Sequence, residues 1–85
     1  MAWWKEKQIM KISVIKTIEP FLLKNGFEKM EPCSYANDVC NVVVQDDCYA
    51  VANNQGDVMY SDNHNIYWLV GYLTWMGFIG KNYEK

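Results

Sequence analysis

Arginine is missing from this chain: all eight basic residues among its 85 are lysines. Arg supplies the planar, bidentate grip on phosphates and bases, and nucleic-acid binders normally concentrate it in a basic patch. Its absence argues against nucleic acid as the primary partner. Histidine is reduced to His64, and the three cysteines, Cys33, Cys40 and Cys48, are an odd set. Their spacings of seven and eight, with sixteen more to His64, match no zinc knuckle or finger, so no metal or other cofactor is expected. Long apolar runs are missing too. From Ile66 to Ile79 the chain carries no charge and five aromatic rings, yet these fourteen residues fall short of the roughly 20 a bilayer requires. Met1-Ala2-Trp3-Trp4-Lys5 has no basic region followed by an apolar run, so a secretory leader is not expected. The thiols therefore read as reduced and the setting as cytoplasmic, with no membrane contact.

What is present is apolar content that is high for the length. Eighty-five residues make one domain, 1–85, and hydrophobic residues are 51% of it. A chain this short buries only about 60% of the surface its unfolded form exposes. Either the core is unusually aromatic or another protein covers some of the apolar surface. Charge is also unevenly placed. Lys5, Lys7, Lys11, Lys16 and Lys24 against Glu6 and Glu19 make residues 1–24 basic. Residues 25–65 hold Lys29 alone against Glu28, Glu31, Asp38, Asp46, Asp47, Asp57 and Asp62, and are strongly acidic.

Apolar spacing over residues 8–24 is helical, placing Met10, Val14, Ile18 and Phe21 with Ile15 and Leu22 on one face. Pro20 is expected to kink or restart this helix, and Asn25-Gly26 to end it. From 27 to 62 the period falls to two. Asn37-Asp38, Asp46-Asp47 and Asn53-Asn54-Gln55-Gly56 punctuate the apolar runs as hairpin connections, predicting strands within 27–36 and over 39–45, 48–53 and 57–61. Pro32 confines the first strand to an edge or breaks it. A two-residue turn at Asp46-Asp47 sets Val44 opposite Tyr49 and Val42 opposite Val51. The next hairpin is expected to set Val51 opposite Val58 and Tyr49 opposite Tyr60. These six residues then form the core face. Asn41, Val43, Gln45, Cys48, Ala50, Ala52, Asp57, Met59 and Ser61 form the outer one.

Residues 61–65 offer N-caps for a closing helix. Ile66, Leu69, Val70, Leu73 and Met76 make its inward stripe, with Trp68, Tyr72 and Trp75 on a flank and Gly77 at its end. The sequence thus predicts an α+β fold: an N-terminal helix, a three- or four-stranded antiparallel meander and a C-terminal helix, both helices on one sheet face.

This element order is similar to the double-stranded-RNA-binding-domain-like fold. Leu22-Leu23-Lys24-Asn25-Gly26-Phe27 resembles the end of the first helix in HicA-type messenger-RNA interferase toxins. That resemblance implies a Gly-Ser-His strand motif, whereas this chain reads Glu31-Pro32-Cys33-Ser34-Tyr35. No functional residue carries over.

Candidate sites follow from what is left over. A thiol paired with His64 as nucleophile and base has no recognisable motif, and buried cysteines usually act as small hydrophobes. No enzyme is expected. Asp46, Asp47 and Asp57 beside Val43 and Met59 on the outer sheet face, with Trp68, Tyr72 and Trp75 on the helix flank, are the candidate partner-binding residues. The expected function is a small non-catalytic protein-binding module, one concrete version being a phage or mobile-element inhibitor that meets a basic, nucleic-acid-handling protein. Two alternatives stay open: a homo-oligomer built through the outer sheet face or the aromatic flank, and an RNA- or DNA-binding domain using the basic side of the first helix.

Overall fold

A computed structural model describes residues 2–79, with side chains from Lys11 onward. Helix α1 spans Ala2–Lys24 and is followed by strands β1 (Glu28–Glu31), β2 (Ser34–Ala36), β3 (Cys40–Val44), β4 (Tyr49–Asn53) and β5 (Val58–Tyr60), and by helix α2 (Ile66–Trp75). The strands form one antiparallel sheet in chain order. Pro32 has divided the first predicted strand into two, which makes five strands instead of three or four. Among the described residues no helix is long and apolar enough to cross a membrane.

Helix α1 starts earlier than its amphipathic spacing suggested and runs through Pro20 as one helix, without the restart that was one of the two expected outcomes. Pro20 lacks the amide that would bond the Lys16 carbonyl, but both residues are exposed. Water can satisfy that carbonyl, so the loss is tolerated. Both helices end in the same way. Phe27 N–H donates to Leu22 O at 3.0 Å and Gly26 N–H to Leu23 O at 3.2 Å; Phe78 N–H donates to Leu73 O at 2.9 Å and Gly77 N–H to Thr74 O at 3.1 Å. Each is a Schellman closure, with the glycine at positive φ (91° at Gly26, 78° at Gly77) and the following phenylalanine turned back onto the helix. At the other end of α2, Asn65 is the N-cap, its Oδ1 accepting from Tyr67 N–H at 2.8 Å.

One cluster holds the fold together. Ile18 and Leu22 from α1, Leu69 and Leu73 from α2, and Tyr35, Val42, Val44, Tyr49 and Val51 from the sheet all lie at 1% exposure or less. Both helices therefore cover one sheet face. Burying each Leu or Ile side chain here contributes about 2 kcal/mol. On α2 the expected inward stripe holds at Ile66, Leu69 and Leu73 but not at Met76, which is exposed, or at Val70, which lies outside the cluster; Trp68, Tyr72 and Phe78 pack there instead.

Tyr35 ties α1 to the sheet by a polar contact as well. Its hydroxyl donates to Glu19 Oε1 at 2.6 Å, and Lys29 Nζ reaches the same oxygen at 3.3 Å. Burial, and then the Glu19 carboxylate, push the Tyr35 phenol well above its usual range. The Tyr35 hydrogen bond, reinforced by Lys29, holds the Glu19 carboxyl below its own, against desolvation.

The first part of the register agrees with the sequence pattern. Val42 faces Val51 and Val44 faces Tyr49. The last hairpin does not agree. Val51 pairs with Met59, Ala50 with Tyr60 and Ala52 with Val58, one residue away from the expected register. The cause lies in the loop. Asn53 N–H donates to Asp57 O at 3.0 Å, closing a three-residue connection of Asn54, Gln55 and Gly56, with Gly56 at φ 92°. A turn followed by a left-handed glycine adds one bulged residue to a hairpin. Every β5 side chain therefore changes face: Val58 and Tyr60 turn outward, and Met59 and Ser61 turn to the helix side.

Candidate functional site

The outer sheet face is built from two rows of residues in register. One runs Ser34, Val43, Ala50, Tyr60 across β2 to β5; the other runs Ala36, Asn41, Ala52, Val58. None of these eight positions is charged, and the first charges on the face are Glu28 and Glu31 on β1, opposite Ala36 and Ser34. An antiparallel sheet can leave one face to water, but solvated faces normally alternate in polar and charged side chains. Here the middle is a floor of small side chains. Ala50 is only 7% exposed because Val43 and Tyr60 stand on either side of it, while Val58 and Tyr60 rise at the β5 margin. Neither helix covers this face, since both pack on the opposite one.

The carboxylates lie at the ends of the strands. Asp46 and Asp47 occupy the β3–β4 turn, and Asp62 follows β5 at that same end. Asp38 and Asp57 occupy the other end, where Asn54 Nδ2 donates to Asp38 O at 3.0 Å. Five-residue strands separate the two groups by about 17 Å. The predicted trio Asp46, Asp47 and Asp57 thus does not converge, and Lys11 Nζ lies 3.2 Å from Asp46 Oδ1. The acidic residues form a rim. Of the candidate outer-face positions, Val43 lies there as expected, whereas Met59 and Asp57, which shares its parity and borders the same hollow as Tyr72 and Met76, lie on the helix side for the register reason given above.

The helix flank separates into two parts. Trp68 and Tyr72 are half-buried and stack face to face, centroids 5.1 Å apart and planes 5° apart, and Trp68 also stacks on Tyr49 at 6.4 Å. The ladder starts at His64, 5.5 Å from the Tyr49 ring, whose hydroxyl donates to His64 O at 2.9 Å. These rings seat α2 against β4. Trp75, by contrast, is 80% exposed, as is Tyr67 at 83%. The side chains of Trp3 and Trp4, aromatic residues that could pack on this flank, lie outside the described residues.

The thiols and the histidine do not assemble a reaction centre among the described residues. Cys40 is buried in the core face of β3, where desolvation pushes its thiol up to about 11. Cys48 lies at the opposite end of the sheet, bordering an open cleft of about 480 Å³ with Cys33, Lys11 and Asp46. His64 Nε2 lies 2.8 Å from Gln45 O, a contact that requires the proton on that nitrogen. No group of three His, Cys, Asp or Glu residues capable of holding a metal occurs among the described residues.

Sequence reasoning missed Val58 and Tyr60 as outer-face residues. The available signal was Gly56, placed third in the loop, where a bulged hairpin requires positive φ. In comparisons with known proteins, no family model, no curated protein and no solved structure matches this chain.

Proposed function

We propose that the chain is a non-catalytic protein-binding module that docks its partner on the outer sheet face. The observation that supports this most strongly is the run of eight uncharged positions from β2 to β5, six of them Ala, Val or Tyr, on a face that neither helix covers. An uncharged centre inside a charged rim is the anatomy of protein interfaces. Because the rim carries Glu28, Glu31, Asp38, Asp46, Asp47 and Asp62, the complementary partner has an apolar patch bordered by Lys or Arg.

Ala52→Lys and Val43→Lys put a charge in the middle of the face and leave the core side untouched. Immobilised protein is expected to retain a small set of basic proteins from an extract of its own cell, and both variants are expected to lose them, because an unpaired charge buried in an interface is strongly penalised. Glu28→Lys, at the rim opposite Ala36, is expected to weaken retention mainly at low salt. Retention that survives both central substitutions would overturn the reading.

A further inference from the structure

The two edges of the sheet are protected very differently. Strand β1 reads Glu-Lys-Met-Glu, is irregular between Lys29 and Glu31, and is followed at once by Pro32. Charge, irregularity and proline are the devices that keep a strand edge from pairing with another chain. Strand β5 reads Val-Met-Tyr, is in register with β4 at all three residues, and exposes all three side chains. It has no charge, irregularity or proline, and only its length of three residues limits pairing.

The hydrogen-bond alternation determines which groups β5 offers. Asp57 O accepts from Asn53 N–H, and Ser61 N–H donates to Tyr49 O, each at 3.0 Å, so residues 57 and 61 bond back to β4. Met59 has the same parity. Val58 and Tyr60 therefore turn their N–H and C=O groups away from β4, toward the free edge.

We propose that β5 pairs antiparallel with β5 of a second copy, about a two-fold axis through Met59. In that register Val58 faces Tyr60 of the partner subunit and Tyr60 faces Val58 of the partner subunit. Each pair exchanges two main-chain hydrogen bonds. Met59 meets Met59 of the partner subunit at the close, non-hydrogen-bonded position between them. The strand is thus complementary to itself in donors, acceptors and side chains, which is what an isologous contact demands.

The neighbouring surface extends the contact on the helix side. Met59 borders a hollow of about 130 Å³ shared with Tyr72, Met76 and Phe78, and Trp75 lies beside Tyr72 with centroids 6.5 Å apart. Val58, Met59, Tyr60, Trp75 and Met76 are all 40% exposed or more. Together they offer on the order of 500 Å² per copy, about 1,000 Å² for the pair, near the lower limit for a specific interface. A reversible dimer of micromolar affinity is the expected result. It joins two outer faces into one continuous surface, but it does not depend on what binds there.

Sedimentation equilibrium between about 5 and 200 µM is expected to show a concentration-dependent monomer and dimer. Val58→Pro removes an outward N–H that the sheet itself does not use, and Met59→Lys adds an edge charge. Each is expected to raise the dissociation constant at least tenfold while the circular dichroism spectrum stays unchanged. Met59→Cys, combined with Cys33→Ser and Cys48→Ser, is expected to cross-link readily under mild oxidation, because Cα atoms about 4.5 Å apart admit a disulfide; Met30→Cys on β1 in the same background is not. Ala52→Lys and Val43→Lys, which test the outer face, are expected to leave the dimer intact. A strict monomer at about 200 µM would overturn the proposal, as would a dimer indifferent to Val58→Pro that cross-links no better at 59 than at 30.

Discussion

Ser61 is the polar pin between β5 and the rest of the molecule, and removing it tests how the last strand is held. It is 7% exposed. Its Oγ accepts from Tyr49 N–H at 2.7 Å and donates to Asn63 O at 2.7 Å, while its own N–H donates to Tyr49 O. The side chain thus takes the place of the main-chain acceptor at the point where β5 ends and the chain turns toward α2. Ser61→Ala leaves the amide of Tyr49, a residue at 0% exposure, without an acceptor. A buried donor left unsatisfied costs about 1–3 kcal/mol. The Asn63 carbonyl, on an exposed residue, can turn to water and adds little. A domain of this size has roughly 4–13 kcal/mol in total, so the substitution removes a substantial share. The corresponding fall in melting temperature is about 10 °C. Urea unfolding followed by tryptophan emission measures it directly, with the denaturant slope unchanged. Ser61→Thr, which keeps the hydroxyl, is expected to recover most of the loss. A Ser61→Ala protein within about 0.5 kcal/mol of the parent would refute the assignment, since surface substitutions away from special features behave that way.

Three further outcomes are expected. Glu19 has a lowered carboxyl pKa, so its contribution is complete above the usual carboxylate range and is lost as the pH falls through the folded value; Tyr35, raised, contributes below the usual phenol range and is lost as the pH rises past it. Urea midpoints against pH should therefore fall at both ends, Glu19→Gln flattening the acid limb and Tyr35→Phe flattening both; an unchanged acid limb in Glu19→Gln would exclude the coupling. Native protein should react quickly with a thiol reagent at Cys33 and Cys48 and slowly at Cys40, the buried thiol with its raised pKa, and three equal rates would contradict the core-facing parity of β3. Gly56→Ala should destabilise by about 1 kcal/mol in the same urea assay through backbone strain alone, because an added Cβ meets nothing within 4 Å, and a neutral result would remove the bulged hairpin.

Elements with a strong period were legible in the sequence. The switch from 3.6 to 2 near Phe27, the turn at Asp46-Asp47 and the glycines after each helix gave the order, the β3–β4 register and both helix ends. Two elements were not legible, for a common reason: one residue's backbone preference was outweighed by its neighbours. Pro20 has an unfavourable helix propensity, but the buried residues Ile18 and Leu22 on either side anchor both turns to the core. Gly56 was counted within a polar turn, although its position decides the loop length, and loop length decides the register. The candidate site suffered from the second error. Asp57 and Met59 read as sharing a face with Val43 because the alternation alone carries no sign of the bulge that inverts β5, and Asp46 and Asp47 lie a full strand length from Asp57.

That inversion has a larger consequence than the exchange of three side chains. With a two-residue connection, Val58 and Tyr60 would lie against α2 and Met59 would be the only large β5 side chain on the outer face. The bulge at Gly56 instead moves Tyr60 beside Ala50 and Val58 beside Ala52, and leaves Met59 to close the hollow by Tyr72 and Met76. It therefore adds a wall to the outer floor and at the same time makes the β5 edge apolar on both sides. Apolar surface at a sheet edge is normally removed by charge or proline because it invites pairing. The opposite edge of this sheet has both, so the chain can protect an edge with a few residues. Leaving β5 without them, beside an uncharged face, puts Val58, Met59, Tyr60, Trp75 and Met76 in the open at one margin, while the other exposed apolar residues, Ile12, Leu23, Met30 and Tyr67, lie apart along α1, β1 and α2. The high hydrophobic content of so short a chain is thus divided between a core that the helices close and a β5 margin that they leave exposed.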